Sequence, residues 1–534
     1  MFETLITHAR IIDGCSSPWF RGEVAIDGDC IVAIGSPGQF AKRGAKRVIN
    51  AQDKVLCPGF IDIQSHSIVP LMKDGRCLGK VTQGVTLEVM GELWTPAPFG
   101  GLIDSPFREG FMPPPTHEWR ETAKTWAHFG DWLAHMAKVG VSPNIGSFVA
   151  GGTLRRYACG LRMGAASAVE LDLIRQKTAE AMEEGAFGVT YALIYPPDDF
   201  VPTEEIIEVC KVVARYGGIY ITHMRSEGDQ IEQGLEETFR IARAANIPAE
   251  IYHLKASGTR NWHKMPWVIA QINAARAEGL DITADMYPYP AAGTGLDAIL
   301  PTWVHADGKF WQNLADPAVC QRIKAEVLAD KGEMAGTAPD EVMPIGFKQP
   351  DFKKYAGRRL SDIAAERGED WVDCIFNLLR AEQQQIGTVY FKMSEDNLCL
   401  QLCQPWIKIS SDAGGYDPAT AETPVHPRSY GTFTRVLGKY VREEQVLTLE
   451  DAIYKMTGAV AARLRLHDRG RVAPGCFADL VLLDPATVAD RATFDNSHQL
   501  SVGIERVWVN GVSVIEDGLH TGALPGRWVR GGGG

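Results

Sequence analysis

Hydrophobic and polar residues alternate along both ends of the chain, with glycine-containing turns between the alternating runs. The early runs are LITHARIIDG, GEVAIDGDCIVAIG and KRVINAQDKVLCPGF, and the late runs are GCFADLVLLD and GIERVWVNGVSVIEDG. A period of two predicts half-buried antiparallel strands. Because neither end is long enough to bury a sheet by itself, we expect one small β-sandwich domain built from residues 1–58 and 467–534.

Between these ends, residues 59–466 alternate helical and strand-like patterns. Apolar residues recur at helical spacing in ELDLIRQKTAEAMEEGA, TEEIIEVCKVVARYG, QGLEETFRIARAAN and WVIAQINAARAEG, and a short apolar run follows each of them. This rhythm is typical of βαβ units, and it predicts an α/β fold with one large (β/α)8 TIM barrel. The rhythm breaks between about residues 296 and 404, where we expect an inserted lid or subdomain.

Four polar residues stand at the ends of short apolar runs that are predicted as strands. His66 follows PGFIDIQS, His223 ends GGIYITH, His253 ends AEIYH, and Asp412 follows PWIKISS. Because the carboxyl ends of barrel strands meet at one face, these side chains are expected to converge. Imidazole and carboxylate groups in that arrangement predict a metal site in which a water is activated for hydrolysis. The sequence therefore predicts an enzyme.

Asp412 and Lys255 each allow a structural and a functional interpretation. Asp412 stands between two serines and two glycines, where an aspartate serves as a general base or stabilises a turn. We favour the general base. Lys255 lies two residues after His253 and so on the same face of an extended strand. It could hold an anionic group of a substrate or be a solvated surface lysine, and both interpretations stay open.

Composition and charge argue against several other classes of protein. The 534 residues are 45% hydrophobic and carry a net charge of -12 with scattered lysines and arginines, so no nucleic-acid partner is expected. We find no charged-then-apolar leader and no run of about 18 apolar residues, so no membrane association is expected. The eleven cysteines are an odd number and lie mostly within apolar runs. They favour a reducing compartment, and we expect the protein to be cytoplasmic.

A further set of motifs occurs in order along nearly the whole chain. The set is PGFIDIQSHS, VTQGVTLEVMGE, GTLRR, FGVTYALIYPP, THMRSE, YHLKASG, DMYPYPAAGTG, SSDAGG, HPRSYGTF and HTGALPGR. Together they resemble the N-acyl-D-amino-acid deacylases (D-aminoacylases) of the amidohydrolase superfamily. The resemblance implies hydrolysis of the amide bond of N-acyl amino acids, of the D series in that family. It further implies that His223 and His253 are zinc ligands and that Asp412 is the general base. The substrate contacts that it implies are Lys255, Tyr287 and Arg428.

Two positions depart from the pattern of that family. The superfamily usually has His-x-His after the first barrel strand, whereas this chain has Gln64 in place of the first histidine and keeps only His66. A glutamine amide oxygen is a poor zinc ligand beside imidazole or thiolate. The cysteine ligand of the family falls on Leu93, which cannot bind metal. The chain is therefore not a standard member.

Glu92 and Glu88 compete to replace the missing anionic ligand. They share strand parity, but Glu92 lies nearer the carboxyl end of its strand, where barrel sites form, so we favour Glu92. We expect one tight zinc site, formed by Glu92, His223 and His253. A second site would be weak or empty, and its residues would be Gln64, His66 and Asp412.

Three functional hypotheses stay open at this point. The leading hypothesis is a zinc amidohydrolase that cleaves N-acyl amino acids with Asp412 as general base. The second is a hydrolase of another amide class, such as a dipeptide, a cyclic amide or a xenobiotic amide. The third is a non-catalytic binding protein, which the retained metal-binding residues disfavour. In each case the partner would be a small molecule, and the sequence leaves a homo-oligomer open.

Overall fold

The computed structural model describes residues 1–108, 110–330 and 334–532. Its strands are β1 (Phe2–Ile11), β2 (Phe20–Asp27), β3 (Cys30–Gly35), β4 (Ala45–Asn50), β5 (Val55–Pro58), β6 (Phe60–Asp62), β7 (Val85–Met90), β8 (Asn144–Ser147), β9 (Val149–Ala150), β10 (Gly188–Ala192), β11 (Ile219–His223), β12 (Ala249–Ile251), β13 (Ile282–Met286), β14 (Ala292–Gly295), β15 (Val342–Pro344), β16 (Gly387–Tyr390), β17 (Ile407–Ile409), β18 (Leu480–Leu483), β19 (Ile504–Val509), β20 (Val512–Glu516) and β21 (Leu519–His520).

The α-helices connect and cover these strands. They are α1 (Ile68–Lys73), α2 (Leu78–Val81), α3 (His117–Ala123), α4 (Phe129–Val139), α5 (Gly151–Cys159), α6 (Ala168–Glu183), α7 (Thr203–Arg215), α8 (Ile231–Ala245), α9 (Met265–Ala277), α10 (Phe310–Ala315), α11 (Pro317–Leu328), α12 (Leu360–Arg367), α13 (Trp371–Glu382), α14 (Glu395–Leu402), α15 (Arg428–Arg435), α16 (Leu449–Met456) and α17 (Gly458–Arg463). The four helices predicted from apolar spacing are confirmed as α6, α7, α8 and α9. No helix in the described part of the chain is both long and apolar enough to cross a membrane.

Strands from both ends of the chain form one large sheet. Its order is β21-β20-β19-β18-β5-β1-β2-β3, and β4 also pairs with β1. The two ends of the chain meet where β18 pairs antiparallel with β5. The sheet branches because the ten residues of β1 pair with β4 near the start of the strand and with β5 at its end. The predicted sandwich is thus a single branched sheet in its hydrogen bonding.

The parallel strands carry the candidate site. They form one sheet in the order β6-β7-β8 and another in the order β9-β10-β11-β12-β13-β17. Phe148 alone separates β8 from β9, and an isolated parallel bridge between Ser65 and Ala413 links the ends of β6 and β17. The sequence predicted a (β/α)8 barrel, and the described parallel strands form two sheets without a closed ring of ladder hydrogen bonds. The interruptions lie at Phe148 and between β6 and β17, which are three residues long each.

Local signals explain where the covering helices begin and end. Ser167 accepts a hydrogen bond from the backbone of Glu170, whose side chain reaches back to the backbone of Ser167, so α6 begins with a capping box. Helix α8 ends at Asn246 in the left-handed conformation, which asparagine tolerates. Strands β10, β11 and β12 are buried at every residue, as expected for parallel strands covered by helices on one face and a core on the other.

The segment between residues 296 and 404 contains its own hydrophobic core. Its buried residues include Leu296, Phe310, Leu314, Ile363, Ile375 and Tyr390. Helices α10 to α13 contribute to this core, and β14, β16 and β15 form a small antiparallel sheet beside it. The sequence pattern there was irregular, but the structure is largely helical. The segment approaches the carboxyl ends of the parallel strands, where β14 and Tyr390 line a cavity.

A buried ionic cluster joins β6, β7 and the segment after β17. The ammonium group of Lys80 contacts Asp62 and Ser411, and it lies 3.5 Å from Glu88. The side chains of Lys80, Asp62 and Glu88 are fully buried. Burial disfavours the charge on Lys80, but the two carboxylates raise its pKa overall. The cluster therefore holds together the strand ends that carry His66 and Asp412.

We predict that Lys80→Met destabilises the protein by about 3–5 kcal/mol, because the substitution leaves two carboxylates buried without a cation. Lys124→Met is a matched control, since Lys124 forms an exposed pair with Glu121 that is worth about 0–1 kcal/mol. Urea unfolding of both variants measures the difference. Equal unfolding midpoints would contradict the role of the cluster.

Candidate metal centre and active site

The predicted metal ligands stand directly after or at the ends of parallel strands. His223 is the last residue of β11, and His253 follows β12 by two residues. Glu92 follows β7 after Gly91, whose φ of +121° turns the chain sharply. A side chain at Gly91 would come within 2.4 Å of the carbonyl oxygen of Phe148, so glycine is required there. This turn directs Glu92 toward the histidines.

Glu92, His223 and His253 form a compact buried cluster. Oε1 of Glu92 lies 3.4 Å from Nδ1 of His223 and 3.4 Å from Nε2 of His253. One ligand atom from each residue lies within 4.8 Å of the other two. Neither ring nitrogen of His223 makes a well-aligned hydrogen bond, although both are buried. Two imidazoles and one carboxylate, with one ligand atom of each directed at a common position, fit a divalent zinc ion of the His₂Glu type.

Glu227 orients both histidines, and the sequence analysis assigned it no role. Its Oε2 lies 3.2 Å from Nε2 of His223, and its Oε1 lies 3.0 Å from Nδ1 of His253. These are the nitrogens that face away from Glu92. For His223, a carboxylate there favours the tautomer that leaves a lone pair pointing at the metal position. Nδ1 of His253 also lies 2.7 Å from the ammonium of Lys255, so Glu227 contacts this ring without fixing its tautomer. Its spacing of four residues after His223, within THMRSE, was the available signal.

A second group of polar side chains adjoins the first. Nε2 of His66 lies 2.9 Å from Oδ1 of Asp412 and 3.3 Å from Oε2 of Glu92. The other oxygen of Asp412, Oδ2, lies 2.7 Å from Nη1 of Arg428. Asp412 adopts a left-handed φ of 49°, which places its carboxylate at the mouth of the strands. The structure thus brings His66 and Asp412 beside the Glu92 cluster, as predicted.

Gln64 is oriented as a hydrogen-bond donor toward the cluster. Its side-chain Nε2 donates to Oε2 of Glu92, and its Oε1 accepts a hydrogen bond from Ser410. The amide oxygen that we considered as a weak ligand therefore faces away from Glu92. Because Oε2 of Glu92 already accepts a hydrogen bond from Gln64, the Glu92 carboxylate is poorly suited to bridge two metal ions. This geometry supports a strong first site and a weak second one.

Glu88 and Leu93 do not take part in the cluster. Glu88 is fully buried and accepts hydrogen bonds from Ser65, Ser67 and Cys77. It belongs with the Lys80 cluster beneath the site, which agrees with our preference for Glu92. Leu93 lines the cavity with a left-handed φ of 66° but offers no ligand atom.

The charges in the site balance one another closely. Burial opposes ionisation of Glu92, but hydrogen bonds from three histidines hold its pKa well below the usual range. Burial lowers the pKa of His223, yet the contacts with Glu227 and Glu92 raise it to about 9 overall. Burial also opposes ionisation of Asp412, but Arg428, His253 and His66 together outweigh this effect, so its pKa is lowered. A divalent cation would replace the protons that the raised pKa values of His66 and His223 otherwise favour.

The remaining predicted residues line one cavity with the cluster. The cavity has a volume of about 230 Å³, and Lys255, Tyr287 and Arg428 are in its wall. The Arg428 guanidinium lies 4.5 Å from the ring centre of Tyr287. Lys255 is neither free nor at the surface, because its ammonium lies 2.7 Å from Oε1 of Glu227 and 2.7 Å from Nδ1 of His253. The interpretation of Lys255 as a solvated surface lysine is therefore wrong, and its contact with an anionic group of a substrate stays a prediction.

Comparisons with known proteins agree with this geometry. Residues 410–515 match the amidohydrolase family model. The chain is 34% identical over 527 residues to the D-aminoacylase of Alcaligenes xylosoxydans xylosoxydans, and the match covers 98% of this chain and 97% of that protein. The chain belongs to the D-aminoacylase family. It is also 34% identical over 526 residues to the N-acyl-D-aspartate deacylase of the same organism, with 98% of this chain and 94% of that protein covered.

Solved structures extend the family assignment to the fold. A D-aminoacylase structure described as having a binuclear metal centre, with activation by one metal and attenuation by the second, superposes with a TM-score of 0.81 at 34% identity. The match covers 99% of this chain and 100% of that one. An N-acyl-D-glutamate deacylase from Bordetella bronchiseptica, complexed with zinc and a phosphonate inhibitor, superposes with a TM-score of 0.81 at 28% identity, with 99% of each chain covered. This D-aminoacylase-family chain therefore has the amidohydrolase fold.

We predict that zinc added to the metal-free chain binds at about one equivalent, and that Glu92→Gln and His223→Ala each abolish tight binding, because each removes one of three ligands. Glu88→Gln is the matched control and should retain the metal, since Glu88 contacts no histidine of the cluster. Metal content after gel filtration measures the effect. Loss of zinc in Glu88→Gln with retention in Glu92→Gln would reverse the assignment.

Proposed function

We propose that the chain is a zinc-dependent amidohydrolase that removes the acyl group from N-acyl-D-amino acids. The observation that carries this proposal is the cluster of Glu92, His223 and His253 at the strand ends. It occurs in a chain whose relatives, over their full length, are named as deacylases of such compounds. When bound, zinc supplies Lewis acidity and lowers the pKa of a water at this cluster.

The residues around the metal position have separable roles. Glu92, His223 and His253 would hold the zinc, and Glu227 keeps the two imidazoles oriented. His66 contributes a weaker position beside Asp412, where Gln64 offers no oxygen to a second metal. We therefore infer one tight zinc site per chain and a second site that is weak or absent.

Asp412 is suited to the transfer of protons during amide hydrolysis. It stands beside the metal ligands, and its lowered pKa keeps it ionised and able to accept a proton from the attacking water. The contact with Arg428 holds one carboxylate oxygen in place and leaves the other directed toward His66 and the cluster. After the attack, the protonated Asp412 can deliver that proton to the departing amine.

Positive charge in the cavity suits the free carboxylate of an N-acyl amino acid. Arg428 and Lys255 approach the ring of Tyr287 from the cavity wall, with cation-to-ring distances of 4.5 Å and 5.9 Å. Arg428 already contacts Asp412, and Lys255 already contacts Glu227. The carboxylate of the substrate would therefore share each cation with that neighbour. These residues would place the amino-acid half of the substrate on one side of the metal.

We also infer the architecture in which this site works. The two parallel sheets would act as one (β/α)8 barrel over residues 59–466, completed at Phe148 and at the Ser65–Ala413 bridge. Residues 1–58 and 467–534 would form the β domain, and about 296–404 the lid. The eleven cysteines are all free, which supports a cytoplasmic location. For the assembly of this chain, a homo-oligomer is one candidate.

We predict that the zinc-loaded chain hydrolyses N-acyl-D-amino acids faster than their L-enantiomers, and that Asp412→Asn lowers kcat by roughly 10²–10⁴-fold because asparagine cannot accept the proton. Steady-state release of the free amino acid measures both effects. Asp172→Asn, at an exposed helical position, is the control. Ordinary turnover in Asp412→Asn, with zinc still bound, would remove Asp412 from the mechanism.

We predict that Arg428→Met and Lys255→Met weaken hydrolysis of an N-acyl-D-amino acid by about 10- to 100-fold more than hydrolysis of its neutral C-terminal amide. The reason is that a charge-assisted contact is worth roughly 1.5–3 kcal/mol. The ratio of kcat/KM for the two substrates is the readout, since general damage to the site cancels in it. An unchanged ratio in both variants would indicate a neutral amide substrate.

A further inference from the structure

A second cavity opens from the metal cluster on the side away from Arg428. It has a volume of about 520 Å³, and it shares His66 and Glu92 with the first cavity. Lys255, Tyr287, Asp412 and Arg428 line the first cavity but not the second. The two cavities therefore meet at the metal position and extend from it in different directions.

Apolar side chains form one continuous part of the second cavity's wall, and polar and charged groups form the rest. Helix α1, the turn after β7 and the segment before α3 supply most of them, through Ile68, Val69, Pro70, Trp94, Met112 and Tyr416. The indole N–H of Trp94 donates to the carbonyl oxygen of Pro106 at 3.0 Å, so this side chain offers the cavity no free donor. The flexible charged side chains of Lys73, Lys348 and Glu422 are exposed residues at its edge.

The size of this cavity decides what it can hold. Sites for small molecules typically measure about 300–1,000 Å³, and the second cavity falls within that range. The single methyl group of an acetamide would leave most of it empty. An extended hydrocarbon chain or an aryl group would instead remove both its own surface and the apolar wall from water.

We infer that the second cavity is the acyl-binding site and that it selects amides with a long apolar acyl group, such as an octanoyl or arylacetyl group. This inference rests on the proposed function and deepens it. The carbonyl carbon of an amide bears the acyl group on one side and the amino acid on the other. With that carbon at the metal position, the amino-acid half enters the cavity that contains Arg428 and Lys255, and the acyl half packs against the apolar part of the other cavity's wall. His66, whose side chain is 31% exposed, lies at the junction.

The test uses the zinc-loaded enzyme and one D-amino acid acylated with acetyl, butanoyl, hexanoyl or octanoyl groups. Each fully buried methylene is worth about fourfold in affinity for the transition state. Because burial in an open cavity is incomplete, we expect kcat/KM to rise by at least about 100-fold from acetyl to octanoyl. A flat or falling series, with the acetyl compound hydrolysed, overturns this inference and leaves the proposed function intact. No hydrolysis of any member refutes both.

Val69→Trp is the diagnostic variant, because Val69 is half-buried on α1 and its larger replacement would fill the second cavity. The octanoyl-to-acetyl ratio of kcat/KM should fall by at least tenfold. Val169→Trp is the matched control, since Val169 is 80% exposed at the start of α6, and it should leave the ratio unchanged. An unchanged ratio in Val69→Trp overturns the inference.

A measurement on the unmodified enzyme guards against a folding defect in the variant. Octanoate should inhibit hydrolysis of the N-acetyl substrate at a concentration at least tenfold lower than acetate does, because its chain occupies the same cavity. Equal inhibition by octanoate and acetate would count against the acyl-binding site.

Discussion

Buried negative charge at the carboxyl ends of the parallel strands is the constraint on which the rest of this structure depends. Five carboxylates are buried close together at these strand ends. They are Asp62, Glu88, Glu92, Glu227 and Asp412. Unpaired, each would cost several kcal/mol to bury. Lys80, Lys255, Arg428, His66 and His223 supply the compensating charge. A divalent metal would complete this balance and allow the histidines to act as neutral ligands.

The compensation is arranged in two layers. The deeper layer, around Lys80, is fully buried, and Lys80, Asp62 and Glu88 line neither of the two cavities, so this layer serves the cohesion of β6, β7 and the segment after β17. The upper layer, around Glu92, faces both cavities and contains His223, whose Nδ1 faces Glu92. Glu88 and Glu92 lie only four residues apart, yet they belong to different layers because Gly91 turns the chain between them.

The same upper layer separates two environments for a substrate. On one side, cations and Tyr287 suit a carboxylate, and on the other side α1 and Trp94 offer an apolar surface. Gln64 contributes to this division, because its amide holds one oxygen of Glu92 and leaves the other to the histidines. Glutamine in place of the usual first histidine thus favours the binding of a single metal ion by a Glu92 carboxylate of fixed orientation.

The sequence by itself determined the repeated elements and the candidate ligands, because periodicity and strand-end position are local properties of the chain. His223, His253 and Asp412 could be selected in this way, as could the helices α6 to α9, whereas Glu92 was selected only through the family resemblance. Only the tertiary structure decided the orientation of Gln64, the partners of Lys255, the role of Glu227 and the branching of the terminal sheet. Each of these depends on contacts between segments far apart in sequence, such as the bond between Gln64 and Glu92 or that between Lys255 and Glu227. The chain order specifies no distance across neighbouring strands, so these contacts become visible only after folding.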